Sequence, residues 1–496
     1  MTYNIARTVL SSILAAPDKE VVEDDHRALS RRTLFANVIH RIETLTSCNV
    51  GVEDFVVVFC DRGMSFWIDL LALWVIGARP ICLESNVEPV HGENVKKLTD
   101  VKFISSSPIA PPAVFSELTA LPDIDFDAVP ELLGALSLKS FPFVQDPDSD
   151  LAGLIFTSGT TGLPKGVPLT HTMLVQNALG TATRLGLRPN DKLMIATPFR
   201  FISSISHFIV TLLSGATFYG TEDKLMAADL IDRLGAKHIT SFGGSPFHAG
   251  MISRTNIDTL PHLRWLMSSG DHLPVDVIDR LHNAFPNIKI NTVYGMAELA
   301  GRFCCLPPEF VKEHKGSVGY PISGLELVLL NDEDEECEYN EIGALYARGT
   351  IAFPGYYKNA AANEKVMTPH GFKTGDVGYF DTSGFLHLSG RSDSVFKRSG
   401  LKVSSQVITD AILALNLFDD VIVLSREDAI EGRVPVAYAA SQDSSLTKGG
   451  LLRQLRPHLA NNHLPKALIY LPTIPRTGSG KVDRRKLYAL VEALPK

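Results

Sequence analysis

Residues 154–166 read Leu154-Ile155-Phe156-Thr157-Ser158-Gly159-Thr160-Thr161-Gly162-Leu163-Pro164-Lys165-Gly166. From Phe156 onward this stretch holds three glycines, four hydroxyls and one lysine directly behind an apolar run. A strand ending in such a loop offers open backbone N–H groups, Ser/Thr donors and one cation to a polyphosphate. Glycine is needed because a side chain would hold the anion away from the backbone. The spacing is not that of a Walker loop, since Lys165 follows Pro164 and Gly166 stands where Ser or Thr is required. Thr477-Gly-Ser-Gly-Lys481 fails the same test at Val482.

Outward from this loop the pattern predicts a parallel α/β core. Phe55–Phe59 and Arg79–Leu83 read as buried strands, with a helix over Ser65–Gly77 between them. Strand–helix alternation recurs at Leu193–Thr197, His238–Phe242, Arg264–Ser268 and Lys289–Val293. Ligands on such sheets gather at the carboxyl ends of strands, so Ser268-Ser-Gly270 and Tyr294-Gly295 are expected to face one site. Beyond about residue 315 the strands shorten. Leu325–Leu330 and Gly343–Arg348 flank five consecutive acids, Asp332–Glu336, which read as a solvated hairpin tip. From residue 394 a small α+β module is expected, with helices near Ser405–Leu415 and Leu451–Ala460 and strands at Val421–Leu424 and Val434–Ala439. The Pro- and Ser-rich segment Ser105–Asp148 is expected to wrap the surface.

Composition adds exclusions. The 496 residues suffice for about three folding units. With 45% hydrophobic and 21% charged residues the profile is that of a globular protein. A net charge of -8 gives no global attraction to nucleic acid or an acidic membrane. Six scattered cysteines lack metal spacing and suggest reduced thiols in a cytoplasmic compartment, the vicinal Cys304-Cys305 pair reading as packing. The most apolar stretch, Phe66–Ile81, is broken by Asp69, Gly77, Arg79 and Pro80, so no membrane span is expected. Val9, Leu10, Ile13 and Leu14 recur at helical spacing, which favours a docked N-terminal helix over a secretory signal.

Five motifs in order resemble those of the adenylate-forming superfamily, which comprises acyl- and aryl-CoA ligases, nonribosomal adenylation domains, beetle luciferases and some amide bond synthetases. They are the loop above, Tyr294-Gly295-Met296-Ala297-Glu298, Thr374-Gly-Asp376, Gly390-Arg391-Ser-Asp393 and Pro475-Arg-Thr-Gly-Ser-Gly-Lys481. The resemblance implies a large N-terminal domain, 1–392, of layered α/β sheets with a small β-barrel-like subdomain. It also implies a mobile α+β C-terminal domain, 393–496, rotating at Asp393. ATP and Mg²⁺ are the implied cofactors. Lys481 is the implied catalytic cation and Glu298 the Mg²⁺ ligand. Thr157–Gly162 and Lys165 are assigned to phosphate, Asp376 to the ribose hydroxyls and Arg391 to phosphate or ribose. Tyr294 is similar to the aromatic that stacks on adenine, and Gly270-Asp271-His272 lies where relatives line the base. Ala297 replaces the usual threonine, which shifts phosphate contacts to Thr160, Thr161 or Lys165.

The same resemblance puts His207 at the acid pocket, as an acceptor-side base or a wall. Phe199, Phe201, Phe242, Gly243 and Phe303 fall in segments that line that pocket, which suggests a bulky aromatic acid, although core packing explains the phenylalanines equally. For the acceptor, CoA ligases usually show glutamates where Val407, Thr409 and Ala344 stand here. The chain as a whole is most similar to the ATP-dependent amide bond synthetases, a group found in marinacarboline biosynthesis, which adenylate an aryl (β-carboline) acid and pass it to a free amine. The alternative is an aryl- or acyl-CoA ligase. Expected partners are therefore a small carboxylic acid and an amine or CoA, with no nucleic acid, membrane or in-chain carrier-protein module.

Overall fold

The computed structural model describes residues 4–105, 112–126, 137–144, 150–157, 164–221, 227–392, 394–398, 401–415, 417–428, 431–441, 445–476 and 482–492. Two large sheets and one small one carry the chain. The first runs Thr119–Ala120, Phe103–Ile104, Phe55–Phe59, Arg79–Leu83, Leu151–Thr157, Lys165–Thr170. All its pairs are parallel except the last, where Thr157 faces Lys165. Its central strands Phe55–Phe59 and Arg79–Leu83 are nearly continuous apolar runs because both faces are covered. The helix Met64–Ile76 is buried along its whole length for the same reason.

In the second sheet, strands Glu20–Glu23, Thr217–Tyr219, Lys192–Ile195, Ser241–Gly244, Trp265–Ser269 and Lys289–Met296 lie parallel in that order. An antiparallel half then follows through Gly301–Leu306, Ser317–Pro321, Leu386–Arg391, Gly371–Phe380, Gly343–Gly349 and Leu325–Leu330. The expected β-rich subdomain is thus joined to the α/β core by unbroken hydrogen-bonded pairing. The third sheet is built from Val395–Arg398, Leu401–Ser404, Asp420–Asp428, Gly432–Ala440 and Ala467–Leu471. Helices Ser405–Leu413 and Lys448–Leu455 pack on it through Ile408, Ile412, Leu451 and Leu455.

Most expected elements are present, with three shifts. The expected strand His238–Phe242 lies at Ser241–Gly244, because His238 takes a left-handed turn (φ 53°) and closes the preceding helix by donating to the Gly235 carbonyl. The expected helix Leu451–Ala460 lies at Lys448–Leu455, since Thr447 caps its start and Pro457 stops its continuation. Within Ser105–Asp148, Phe115 and Phe141 are buried, so this segment contributes to the core. The N-terminal helix Ile5–Ser12 docks through Ile5, Val9 and Leu10, capped by Asn4. All six cysteines are free thiols, and burial pushes Cys305 up to about 11. Among the described residues, no helix is long and apolar enough to cross a membrane.

Two buried histidines make stability depend on pH. His171 Nδ1 accepts the Ile5 N–H at 3.3 Å, and burial lowers its proton affinity to about 4. His248, the N-terminal partner of Ser245, is likewise lowered to about 4 by burial. Both are neutral when folded and have an unfolded value of about 6.5. Their contribution is therefore complete above pH 6.5 and is lost as pH falls towards 4. For His171 the loss is on the order of 3 kcal/mol. Denaturant unfolding should show the midpoint falling between pH 6.5 and 4, and His171→Gln should flatten part of that fall. Parallel profiles for the two proteins would refute the assignment.

Candidate functional site

The parallel strands Trp265–Ser269 and Lys289–Met296 end side by side, with Ser268 opposite Thr292 and Ser269 opposite Val293. Beyond them Ser268, Asp271, His272, Thr292, Val293 and Gly316 line a cleft. Gly270 turns the chain with φ 93°, and Asp271 stands exposed on the rim. His272 Nε2 lies 3.7 Å from Asp410 Oδ2 on the helix Ser405–Leu413. The small sheet's first helix therefore faces the loop expected to line a base.

At the antiparallel side of this end, cross-strand pairing puts Asp376 opposite Arg391. Arg391 Nη1 lies 3.2 Å from Asp376 Oδ1 and 3.3 Å from the Thr374 carbonyl. The Tyr294 hydroxyl donates to Asp376 Oδ2, although the two residues are far apart in sequence. Burial, and then the Asp376 charge, hold the Tyr294 phenol well above its usual range, so it stays a donor. Gly375 adopts φ 81°, and a Cβ there would sit 2.8 Å from Arg391 Nη2. The left-handed φ is the main reason glycine stands between Thr374 and Asp376. The ring of Tyr294 is 9% exposed and lies edge-on to Phe303 at 4.5 Å. Its contacts make it a tether for Asp376 rather than an open stacking platform.

Glu298 sits in the short 3₁₀ turn Ala297–Leu299, just past the strand end. Its Oε1 accepts the Tyr356 hydroxyl at 2.9 Å, and Lys165 Nζ lies 4.5 Å above the Tyr356 ring. Burial, then Glu298, raise the Tyr356 phenol above its usual range. Buried Asn177 fixes the turn by donating to the Leu299 and Arg302 carbonyls at 3.1 and 2.6 Å. Neither Tyr356 nor Asn177 was singled out by the sequence. The aromatic pair Tyr356-Tyr357 behind Gly355 is the only local signal, and it does not specify a partner. Ser158, Gly159, Thr160, Thr161, Gly162, Asp393 and Lys481 lie outside the described residues. Met296 pairs with Gly301 and Gly295 with Arg302, which carries the chain across the mouth of the site.

The expected acid-pocket residues divide. Phe199 is core, 4.8 Å from Trp67 and stacked on Phe66 at 6.0 Å. Phe303 is fully enclosed. Phe242 joins the core on the opposite sheet face from Gly243, as strand alternation demands. Only Phe201 keeps partial exposure, with the Arg200 guanidinium 4.3 Å over its ring. Phe199, Phe242 and Phe303 are thus packed into the sheet and helix layers, which leaves Phe201 as the one of the four with partial exposure. His207 is 2% exposed on the helix Ile202–Leu213. Its Nδ1 lies 2.6 Å from the Ser203 carbonyl, which makes Nδ1 the donor and leaves Nε2 as an unpartnered acceptor. Burial and then nearby Arg302 drive its proton affinity well below 6.5. A ring so placed resists accepting a proton, so of its two expected roles the wall is favoured over the base.

A cleft at the carboxyl ends of parallel strands, an anchored aspartate–arginine pair, and a carboxylate and a lysine that both meet Tyr356 are the arrangement expected of a nucleotide-binding enzyme of the α/β class. The chain belongs to the AMP-binding enzyme family, whose profile matches residues 12–357. It is 27% identical over 482 residues to 2-succinylbenzoate–CoA ligase of Bacillus licheniformis, covering 95% of this chain and 97% of that protein. It is 28% identical over 343 residues to oxalate–CoA ligase of Saccharomyces cerevisiae, covering 68% and 62%. Among solved structures, ATP-bound MatB from Rhodopseudomonas palustris superposes with a TM-score of 0.87 at 21% identity, covering all of both chains. O-succinylbenzoate coenzyme A synthetase from Bacillus subtilis, in complex with ATP and magnesium ion, gives 0.82 at 22% identity, covering 97% and 99%. These likenesses establish the α/β fold with its smaller C-terminal part.

Proposed function

We propose that this protein is an ATP- and Mg²⁺-dependent ligase that activates an organic acid as its acyl-adenylate and hands the acyl group to coenzyme A. The observation that carries it is the pair of anchored acids. Asp376 is held between Tyr294 and Arg391, and Glu298 is held by the Tyr356 hydroxyl, whose ring carries Lys165; the first suits ribose hydroxyls and the second a cation on the phosphates. A carboxylate cannot be displaced at neutral pH because oxide is no leaving group. Attack of its oxygen on the α-phosphorus of ATP breaks the bond to pyrophosphate and converts that leaving group to AMP. The acceptor sulfur then attacks the carbonyl, loses its proton and expels AMP. Among the described residues no three metal-ligating side chains cluster. That suits Mg²⁺, which binds through one or two carboxylates plus substrate phosphates, with Glu298 as the protein's share. When bound, the ion neutralises phosphate charge.

Coenzyme A is favoured because the CoA ligase relative from Bacillus licheniformis aligns over nearly the whole chain. Amide formation is the second reading, and one observation keeps it in view. Thr409 is buried, its hydroxyl bonded to the Ser405 carbonyl and the Val423 N–H at 2.9 Å each, and Val407 is apolar and exposed. Neither offers the carboxylate usual in CoA ligases. Against amide formation stands His207, whose surroundings oppose the proton it would take from an amine. The deciding experiment incubates the enzyme with ATP, Mg²⁺, a panel of acids, and either CoA or an amine, then weighs the products. A thioester is expected; an amide without a thioester would reverse the choice, and no pyrophosphate exchange with any acid would end the proposal.

The second step rests on rotation of the small sheet about Asp393, carried over from the family hinge. Its neighbours are held: Ser392 N–H donates to Gly375 O at 2.8 Å, and Ser394 Oγ accepts the Arg391 N–H at 2.9 Å. Fixing φ at this one residue removes the backbone freedom a hinge needs. Asp393→Pro should keep pyrophosphate exchange near the parent rate while slowing acyl transfer at least ~10-fold. Unchanged overall turnover would exclude domain alternation at this position.

A further inference from the structure

Arg302 is a buried cation close to the expected acid pocket. It is 3% exposed, on the strand Gly301–Leu306 opposite Gly295, at the carboxyl end of its neighbour. Its Nη2 donates to Ser206 Oγ at 3.1 Å and its Nη1 meets Met267 Sδ at 3.1 Å. Its Nε is buried without a partner, and among the described residues no carboxylate pairs with the guanidinium. The nearby Cys305 thiol is no counter-ion, since burial pushes it up to about 11. Burial lowers Arg302 itself only to about 10, so it is charged at neutral pH. Leaving a cation dehydrated and unpaired in a core is costly, and native proteins pair such groups or keep them for function.

The surroundings indicate function. Strand register puts Gly243, Met267, Gly295 and Arg302 on one face, at the carboxyl ends where α/β sheets bind ligands. The helix Ile202–Leu213 covers that face with Ser206 and His207. A Cβ at Gly243 would come within 2.4 Å of His207 Nε2, the second buried polar atom there without a partner. This is the side on which the expected acid-pocket residues Gly243 and His207 lie.

We propose that Arg302 is a specificity-determining residue that receives a second acidic group on the organic acid, at the end remote from the carboxylate being activated. This rests on the acid-activating reading above. Under that reading the activated carboxylate already has Lys481 as its cation, which leaves the guanidinium for a group at the far end. A distal carboxylate or sulfonate meets the guanidinium's in-plane donors and completes its hydrogen bonding.

Pyrophosphate exchange measures this directly, with the full chain and matched pairs of acids: terephthalate against p-toluate, adipate against hexanoate, sulfobenzoate against benzoate. The wild-type enzyme should favour the doubly acidic member by roughly 10–100-fold in kcat/KM, the carboxylate and sulfonate arms telling which group is preferred. Arg302→Met should abolish that preference and leave the singly acidic acids equal or better, while Arg302→Lys should keep part of it. A wild-type preference for the singly acidic members overturns the proposal, and that measurement needs no variant. Equal loss on both members in Arg302→Met, with thermal unfolding unchanged, would assign Arg302 to the activated carboxylate and overturn it as well. No exchange with any acid would refute the adenylation reading itself, a result distinct from exchange without preference.

Discussion

Lys481→Ala is expected to slow acyl-adenylate formation by ~10²–10³ while leaving consumption of a presynthesised adenylate close to the parent rate. The reaction joins two anions, and a preorganised cation that touches both lowers the barrier through charge-assisted contacts that strengthen as the phosphorus becomes crowded. Lys481 itself lies outside the described residues, but its flanks are fastened. Arg476 bridges to Val482, and the Asp483 N–H donates to the Pro475 carbonyl at 2.8 Å. Arg476 Nη2 also holds both Asp420 carboxylate oxygens at 2.8 and 2.7 Å. The described residues on either side of Lys481 are therefore held to the small sheet. On the proposed rotation of that sheet, its lysine would serve only the step for which the sheet is in place. The check is pyrophosphate exchange beside single-turnover use of synthetic adenylate. Equal loss of both activities, or loss of neither, would remove Lys481 from this role.

Glu298→Gln is expected to raise the Mg²⁺ concentration needed for half-maximal exchange at least ~10-fold and to lower the saturated rate by ~10². The substitution separates charge from shape. Glutamine still accepts the Tyr356 hydroxyl, so the 3₁₀ turn and the Asn177 bonds behind it should persist and thermal unfolding should stay put. What is lost is the anionic oxygen that a hard cation requires. Tyr356→Phe makes the complementary cut, removing a hydrogen bond to a charged group worth about 1.5–3 kcal/mol and costing roughly 10-fold in rate. An Mg²⁺ titration of Glu298→Gln that overlays the parent would show that the ion is held elsewhere.

Much of this was legible from residue order because the signals are local. Phe55–Phe59 and Arg79–Leu83 are strands as read, since an apolar run of that length flanked by turn residues has few alternatives. Thr374-Gly-Asp376 is the tight turn its order suggests, because the left-handed conformation at Gly375 disfavours other side chains. The strand His238–Phe242 slid by three positions because a helix termination and a strand start share the same apolar composition there. The phenylalanines are a related case. Phe242 and Gly243 are adjacent in sequence yet point to opposite sheet faces, and composition carries no sign of which face holds ligand.

By itself the sequence determined the alternating α/β architecture and, through its ordered motifs, the family. Only tertiary structure decided who meets whom. Tyr294 and Asp376 join across two strands, Tyr356 reaches Glu298 from a later turn, and Arg302 arrives beside Ser206 with no acid to balance it among the described residues. The reason is physical. Backbone preference and burial pattern act over a few residues and so are written locally, whereas partnership between buried polar groups follows from register and layer packing, which only the folded chain defines.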